Sequence, residues 1–442
     1  MARLDPRALF PNFEDRRQVD KVLEELDTRN VSRRDFLTLV SAGAALVIGG
    51  PVLAACGGGG AVVQSKGKMA FLIMTNQLQY DVQMNDAARA VAEELGFSYS
   101  GLNGQLDAQL QLNQFGQVAA SGAKAVLVHS PDGSDIRSIM TKAQQQQIYV
   151  SNVWGTLPWF TPFDSGDYYT LYGQPDEFKV MGQATKVLLD AMGGKGNIVR
   201  VTGVQGNTAD IIRSAGANAV LKQYPNVHLL GELPGKWNSE DSQKAMQQLL
   251  ARYPNIQGCI PQNDDESTGV VAALKATGKK PGVDVLLIGA DGTDLAARRI
   301  KSGEQLATTA NVPGYAGYLL VTRLYDVMHG WKPNDAERML QWESVILTKD
   351  NVDPYIARYV GQPPDKLFNA KLMSHVLHKD DWDPQFLVYP MDIDVLWTNI
   401  PKPSGYQYPA AYTKAKESGL VDKVAAEYKA HYKHGVLDPV AV

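Results

Sequence analysis

Four polar residues that can hydrogen-bond to hydroxyl groups stand at the ends of three short apolar segments. Asn263 and Asp264 end the first segment, Asp291 ends the second and Asn311 ends the third. Ligands of open parallel sheets lie outside the carboxyl ends of the strands, so these side chains are predicted to converge on one cleft. Carboxylate and amide groups can hold a hydroxyl group, which both donates and accepts, in pairs of hydrogen bonds. The pattern predicts a binding site for a small polar molecule.

A structural role is the alternative interpretation of several of these residues. Asn and Asp are common helix caps, and Asn263, Asp264 and Asp291 each precede a predicted helix. Asp265 and Glu266 come next in the chain, and we assign them to a solvent-facing first turn. The sequence leaves both interpretations of the first three residues open.

The elements that must position these residues alternate regularly from residue 68 onward. Short β-branched segments are separated by amphipathic helical stretches, a pattern typical of a parallel sheet covered on both faces. Residues 154–176 are rich in aromatics, Pro and Gly without a clear period, and we interpret them as the crossing from a first lobe to a second. The predicted strands are 69–74, 125–129, 149–153, 197–202, 228–233, 258–261, 285–289 and 305–310.

Several classes of function are excluded by what the 442 residues lack. Residues 75–78, after the first strand, contain no glycine, so there is no dinucleotide fingerprint, and a P-loop is absent as well. The two cysteines, Cys56 and Cys259, have no metal-ligand spacing, and a net charge of −4 argues against a nucleic-acid partner. No nucleophile elbow or His-rich metal site is present. We therefore predict no catalytic residues, no metal and no cofactor.

The N-terminal region has the order of an export signal. Arg33 and Arg34 precede an apolar stretch over 38–52, which is followed by Leu-Ala-Ala and Cys56. The stretch is short of the roughly 20 apolar residues of a spanning helix, which favours a signal peptide over a tail anchor or a buried helix. The arginine pair resembles a twin-arginine signal, and the segment ending at Cys56 resembles a lipobox. This resemblance implies an exported protein with a lipid anchor at Cys56, and residues 57–67 would be a flexible tether.

A series of motifs resembles the type I periplasmic binding proteins of ABC importers, the ribose- and galactose-binding class. The resemblance extends from about residue 68 to residue 348. It rests on the order and spacing of five segments: 197–203, 206–213, 261–266, 287–293 and 306–313.

The resemblance implies an α/β protein of two doubly wound parallel-sheet lobes joined by a hinge of crossing strands. The expected regions are the signal, 1–56; the tether, 57–67; lobe I, 68–155 plus about 309–340; lobe II, about 172–308; and a C-terminal extension, 349–442. Extra packing is the default role of the extension, and a second contact surface or a contribution to the cleft is the alternative.

The resemblance also implies a set of ligand contacts. Arg213 corresponds to an arginine whose planar fork binds ring and hydroxyl oxygens. Tyr80 and Trp237 correspond to aromatic positions that stack on a sugar ring. The alternatives are a solvated helix position for Arg213 and surface packing for the two aromatic residues. The complete candidate set is Tyr80, Asp81, Trp154, Arg213, Trp237, Asn263, Asp264, Asp291 and Asn311.

Two departures from the family pattern concern the ligand. The Asp-Arg pair that commonly clamps ring hydroxyls is replaced by residues 151–155, and Asn311 stands where the family carries glutamine. Leaving a buried hydroxyl unpaired costs about 1–3 kcal/mol, so ribose is not the expected ligand. Trp154, with Trp159 and Phe160, suggests a more apolar wall. A deoxy sugar, a polyol, a glycoside and a non-sugar such as a nucleoside all remain open.

The predicted function is solute capture outside the cytoplasm. A monomer, lipid-anchored in the membrane, would bind a monosaccharide, polyol or related sugar between its lobes and deliver it to an ABC permease. A sensory protein that reports ligand to a membrane receptor is the alternative. A hydrolase using Asp264, Asp265 or Asp291 is disfavoured, and a DNA-binding repressor with this core is rejected because the export segment takes the place of a DNA-reading headpiece.

Overall fold

A computed structural model describes residues 67–440 of the chain. The predictions for the signal peptide, Arg33, Arg34, Cys56 and all of the tether except Gly67 lie outside these residues. Within the described part, no helix has both the length and the apolar character needed to cross a membrane.

Thirteen strands and twelve α-helices alternate through the described residues. The strands are β1 Lys68–Ile73, β2 Ser98–Asn103, β3 Ala123–Val128, β4 Tyr149–Val153, β5 Tyr169–Pro175, β6 Lys195–Thr202, β7 Asn226–Pro234, β8 Gly258–Pro261, β9 Leu286–Asp291, β10 Ala307–Ala310, β11 Met339–Trp342, β12 Val345–Thr348 and β13 Val388–Pro390. The helices are α1 Gln79–Glu94, α2 Ala108–Ala120, α3 Ile136–Gln146, α4 Glu177–Ala191, α5 Thr208–Leu221, α6 Ser239–Arg252, α7 Asp264–Ala276, α8 Asp294–Ser302, α9 Pro313–Met328, α10 Val352–Tyr359, α11 Ala410–Glu417 and α12 Leu420–His431.

The strands form two separate sheets, which confirms the predicted two-lobe α/β fold. The first sheet has the order β13-β11-β5-β4-β3-β1-β2, and the second has the order β12-β10-β9-β8-β6-β7. Pairing is parallel except where β13 joins β11 and β12 joins β10. The inner strands are buried along nearly their whole length, as expected when helices cover both faces of a sheet.

The chain passes between the two sheets at four places, the last being the C-terminal extension between β12 and β13. The first three passages form the hinge. They connect β5 to α4, β10 to α9, and β11 to β12. Two of the passages are joined directly, because the backbone N–H of Asp176 donates to the carbonyl of Trp342 at 2.9 Å.

The first crossing lies at the very end of the stretch 154–176 in which it was expected, between β5 and α4. The sequence showed no clear period in this stretch, but it contains β5, which pairs with β4 and β11. Residues 172–175, assigned to lobe II, therefore lie in the first sheet, and residues 309–310, assigned to lobe I, lie in the second. The physical reason is that every residue of β5 is buried, so the strand has no polar-apolar alternation for sequence reasoning to detect.

The C-terminal extension packs on both lobes. β13 adds an edge strand to the first sheet, and α10 packs against α8 of the second lobe. The Phe386 ring lies 4.1 Å, centroid to centroid, from the ring of Tyr315 on α9. On α12, Val424 and Tyr428 are buried. The extension therefore shares the core of lobe I.

Truncating Phe386 tests this shared core. Phe386→Ala is expected to lower the free energy of unfolding by about 3–5 kcal/mol, because the side chain is fully buried and leaves a cavity. Chemical denaturation measures the loss. Leu377→Ala, in an exposed part of the same extension, is the matched control. A loss below about 1 kcal/mol at Phe386 would show that the extension folds apart from the lobe.

Candidate functional site

A cavity lies between the two lobes at the carboxyl ends of their strands. The empty volume between its walls, including the part open to solvent, is ≈ 360 Å³. Lobe I contributes Met74, Leu78, Tyr80, Asp81, His129 and Trp154, and lobe II contributes Asn207, Ala209, Arg213, Trp237, Asn263 and Asp291.

The guanidinium of Arg213 is the centre of the polar wall. Its Nε and Nη2 atoms donate to the two carboxylate oxygens of Glu177 at 2.7 and 2.8 Å. Its Nη1 donates to the backbone carbonyl of Gln262 at 2.6 Å, and Nη2 also donates to Asp291 at 3.1 Å. Burial alone would lower the pKa of Arg213, but Glu177 and Asp291 raise it, so the side chain stays charged. The solvated alternative for Arg213 is wrong.

Glu177 was missed by the sequence analysis. It opens α4 directly after the first hinge passage, is fully buried, and also accepts a hydrogen bond from the indole N–H of Trp154 at 2.9 Å. Acidic residues are common in the first turn of a helix, so the presence of a glutamate there did not indicate a binding site. Its place beside a lobe crossing is the only clue that the sequence offered.

Asp291 ends β9 in a strained conformation. Its φ of 114° lies in a region that residues with a Cβ rarely adopt, and the ion pair to Arg213 holds the side chain there. The capping alternative is wrong for Asp291, because Thr293 caps α8. Burial raises the pKa of Asp291 well above its usual range, while Arg213 opposes the shift.

Asn263 caps a helix and lines the cavity at once. Its Oδ1 accepts the backbone N–H of Glu266 at 2.7 Å, and its Nδ2 donates to the carbonyl of Trp237 at 3.1 Å. Glu266 is fully buried, which corrects the solvent-facing assignment. It accepts the backbone N–H groups of Trp237 and Gln262, and burial raises its pKa to about 8. The turn that presents Trp237 is thus fixed by the side chain of Asn263, the N-cap of α7, and by that of Glu266 in its first turn.

Asp264 does not reach the cavity, and its predicted ligand role is corrected. One carboxylate oxygen accepts the backbone N–H groups of Gly292 and Thr293, both at 2.9 Å. The other accepts the hydroxyl of Thr308 at 2.8 Å. These bonds tie α7 to the ends of β9 and β10, so Asp264 holds the framework of the site.

Asn311 lies in the hinge passage between β10 and α9. Its backbone N–H donates to the carbonyl of Asp291 at 3.3 Å, and its side chain is fully buried. Neither atom of its amide group has a hydrogen-bond partner. A buried unpaired amide is costly, so a ligand or water is the expected partner. Asn311 is not among the residues that line the cavity as it stands.

Aromatic rings form the rest of the wall. Tyr80 meets Trp154 edge-on, with ring centroids 5.2 Å apart, and its hydroxyl is buried without a partner. The guanidinium of Arg213 lies over the ring of Trp237, 5.6 Å from the ring centroid. Tyr80 and Trp237 are both almost fully buried, so surface packing does not describe either.

Trp154 is forced into the cleft by its backbone. Its φ is 47°, and that of the following Gly155 is 31°. A Cβ on Gly155 would lie 2.0 Å from the carbonyl oxygen of Ser130, so only glycine fits.

Asp81 is held by its own lobe. It accepts the backbone N–H of Thr75 at 3.2 Å and pairs with Nδ1 of His129 at 3.0 Å. Both side chains line the cavity. The carboxylate of Asp81 is thus held in place by Thr75 and His129.

The two lobes are in contact across the cleft, so the described conformation is closed. Asn207 Nδ2 donates to the carbonyl of Pro131 at 2.7 Å. The carboxylate of Asp265 accepts the backbone N–H of Gln79, the first residue of α1, at 3.1 Å. Leu78, the residue at the N-cap of α1, supplies no side-chain bond, so the other lobe caps this helix.

Two α/β lobes around a polar cleft are the architecture expected of a solute-binding protein, and comparison with known proteins agrees. Residues 69–332 match the periplasmic binding protein domain model, more than half of the chain. The chain belongs to this extracytoplasmic family.

Three relatives illustrate the similarity. A xylitol-binding protein of Mycolicibacterium smegmatis is 25% identical over 314 residues, 70% of this chain and 85% of the relative. A D-apiose import binding protein of Actinobacillus succinogenes is 26% identical over 235 residues, 52% of this chain and 71% of the relative. The crystal structure of a twin-arginine translocation pathway signal protein from Burkholderia phytofirmans is 26% identical with a TM-score of 0.64, covering 67% of this chain and 93% of that one.

The pH dependence of stability tests the contact across the cleft. Burial raises the pKa of Asp265 from 3.8 to about 6. Between these values the native state holds the proton more tightly than the unfolded chain, so this group's contribution to stability falls as pH rises. Asp265→Asn removes the effect. Its free energy of unfolding relative to the wild type should therefore be about 1–2 kcal/mol higher at pH 7 than at pH 4, allowing for partial exposure.

Urea denaturation at the two pH values measures this difference. Asp380→Asn, which removes an exposed carboxylate, is the matched control. A difference between Asp265→Asn and the wild type that is equal at both pH values would mean that Asp265 is solvated and that the lobes do not meet there.

Proposed function

We propose that the protein captures a monosaccharide, polyol or related sugar in the cleft and delivers it to an ABC permease. The observation that carries the proposal is the convergence of Arg213, Asn263 and Asp291 with the rings of Tyr80 and Trp237 on one small cavity. Polar groups of this kind pair with hydroxyl groups, and aromatic faces cover the CH groups of a carbon chain or ring.

The named relatives support this ligand class. One is a xylitol-binding protein and another is a D-apiose import binding protein, so both are named for small polyhydroxylated compounds.

Hinge closure gives the mechanism of capture. A ligand shifts the population toward the closed form only by binding that form more tightly than the open one. Lobe I supplies Trp154 and Tyr80 to the cavity, and lobe II supplies Arg213 and Asp291, so only the closed form presents the complete set. The closed form would then be the one that the permease recognises, and we propose that the protein acts as a monomer.

Thermal unfolding of the full chain against pentoses, hexoses, polyols, glycosides and nucleosides tests the proposal. A ligand at about a hundred times its Kd adds about 2.7 kcal/mol to stability, so one chemical class should raise Tm by several degrees. Asp291→Ala should abolish the rise because it removes an acceptor from the cavity. Asp284→Ala, at an exposed position of the same lobe, should retain it.

The pattern of responses across the panel decides the ligand class. A response confined to nucleosides would replace the sugar by a non-sugar ligand. No response from any compound would contradict the proposal.

We also propose that the protein is exported by the twin-arginine route and is anchored by a lipid on Cys56. The arginine pair, the apolar stretch and the cysteine occur in the required order. A similar solved structure belongs to a protein described as a twin-arginine translocation pathway signal protein, which supports the export route for this chain.

Two sets of substitutions separate export from anchoring. Replacing Arg33 and Arg34 together by lysine should leave the protein inside the cell, measured by fractionation. Cys56→Ser should leave export intact but release the protein from the membrane fraction, because a chain without its lipid has no anchor. Export of the lysine variant at the normal level would contradict the twin-arginine route.

A further inference from the structure

The charged groups around the cavity do not balance. Asp81 and Asp291 line it, and Glu177 lies directly behind, hydrogen-bonded to Trp154. Asp81 has the imidazole of His129 as its partner at 3.0 Å, but Glu177 and Asp291 share a single guanidinium, that of Arg213. The three carboxylates and the guanidinium are almost fully buried. Buried charge is costly unless it is paired, so the site as it stands lacks positive charge.

The guanidinium of Arg213 has little capacity left for a ligand. A guanidinium has five N–H donors, and hydrogen bonds to Glu177, Asp291 and the carbonyl of Gln262 take up four of them. Only one N–H, on Nη1, has no acceptor among these three residues. Arg213 therefore cannot present a planar fork to a ligand, and the polar wall offers acceptors rather than donors.

Lobe I does not restore the balance. The Asp-Arg pair that the family resemblance leads one to expect after the fourth strand is absent, and Asn152 and Trp154 occupy this stretch. The amide of Asn152 donates to the carbonyls of Trp154 and Gly155 and is committed to the local turn. His129 is bonded to Asp81.

The aromatic residues around the cavity suit a cation. The rings of Tyr80, Trp154 and Trp237 all line it, and π faces attract a positive charge within about 6 Å. Neutral sugars also stack on such rings, so the rings alone do not select a cation. Aromatic rings combined with an excess of carboxylates select a cation over a neutral sugar.

We propose that the ligand is a polyhydroxylated amine, such as an amino sugar or an amino-substituted polyol, whose ammonium group binds between Asp291 and the aromatic rings. Glu177 is the specificity-determining residue, because it takes two of the Arg213 donors and leaves Asp291 a single bond to the guanidinium, through Oδ1. The other carboxylate oxygen of Asp291 is then the one that pairs with the ligand. The inference rests on the proposed function, since it names the ligand class of the same cleft.

Matched pairs of ligands test the inference. Titration calorimetry on the full chain would compare 2-amino-2-deoxyhexoses with their parent hexoses, and 1-amino-1-deoxypentitols with their parent pentitols. One amine is expected to bind at least about tenfold more tightly than its parent, since a charge-assisted bond replaces a neutral one. Uronic acids, which bring a further carboxylate, should not bind measurably.

Substitutions at Glu177 and Asp291 test whether these residues cause the preference for the amine over its parent compound. Glu177→Gln removes a negative charge and frees part of the Arg213 fork, so the preference for the amine should fall about tenfold while the parent compound binds as well or better. Asp291→Asn should also reduce the preference, and it serves if Glu177→Gln fails to fold. Glu240→Gln, which breaks an exposed ion pair with Lys244 on α6, is the control and should leave the preference unchanged.

The outcomes distinguish the amine as ligand from the proposed sugar-binding function. Tight binding of a neutral sugar or polyol, with no gain for its amine, would overturn the inference and leave the sugar-binding function intact. In that case Asp291 carries a proton in the cleft. Equal preference in the wild type and Glu177→Gln would overturn the role of Glu177. Failure of all sugars, polyols and their amines to bind would overturn the proposed function itself.

Discussion

The burial of the Arg213 guanidinium is the constraint on which the binding cleft depends. A charge removed from water must be paired, and here the partners come from three other segments: Glu177 at the first hinge passage, Asp291 at the end of β9 and the carbonyl of Gln262 after β8. The pairing fixes the strand ends relative to one another. It also holds Asp291 in a conformation that would otherwise be unfavourable.

The same cluster couples the cleft to the closure of the lobes. Trp154 belongs to lobe I, yet its indole N–H donates to Glu177 of lobe II, so the hydrogen bond exists only when the lobes are together. Asn207 and Asp265 add contacts between the lobes at other points of the cleft. Opening must therefore break polar bonds, but water can replace them, which keeps the free-energy difference between the two forms small enough for a ligand to shift.

Much of the framework was predictable from the sequence because it depends on local patterns. The segments 149–153 and 258–261 were predicted with the bounds of β4 and β8. β2 was missed because Ser98–Asn103 is a polar, partly exposed edge strand, and β11, β12 and β13 because they are short and defined by partners far away in the chain. At the site, the strand-end argument identified Asn263 and Asp291. It could not separate Asp264 from Asp291, because the direction of a side chain beyond a strand end depends on the turn that follows.

The residue that the sequence could not reveal, Glu177, gives the cleft its individual chemistry. Trp154 was a predicted ligand contact, but its hydrogen bond to Glu177 exists only in the folded chain. Glu177 also changes what a framework arginine can do. With Glu177 bound to it, Arg213 positions Asp291 and keeps only one N–H for a ligand. The framework residue Asp264 keeps its structural bonds whatever the ligand is. A change of ligand class therefore needs no change in the fold, since exchanging one charge beside a hinge passage inverts the polarity that the cleft presents.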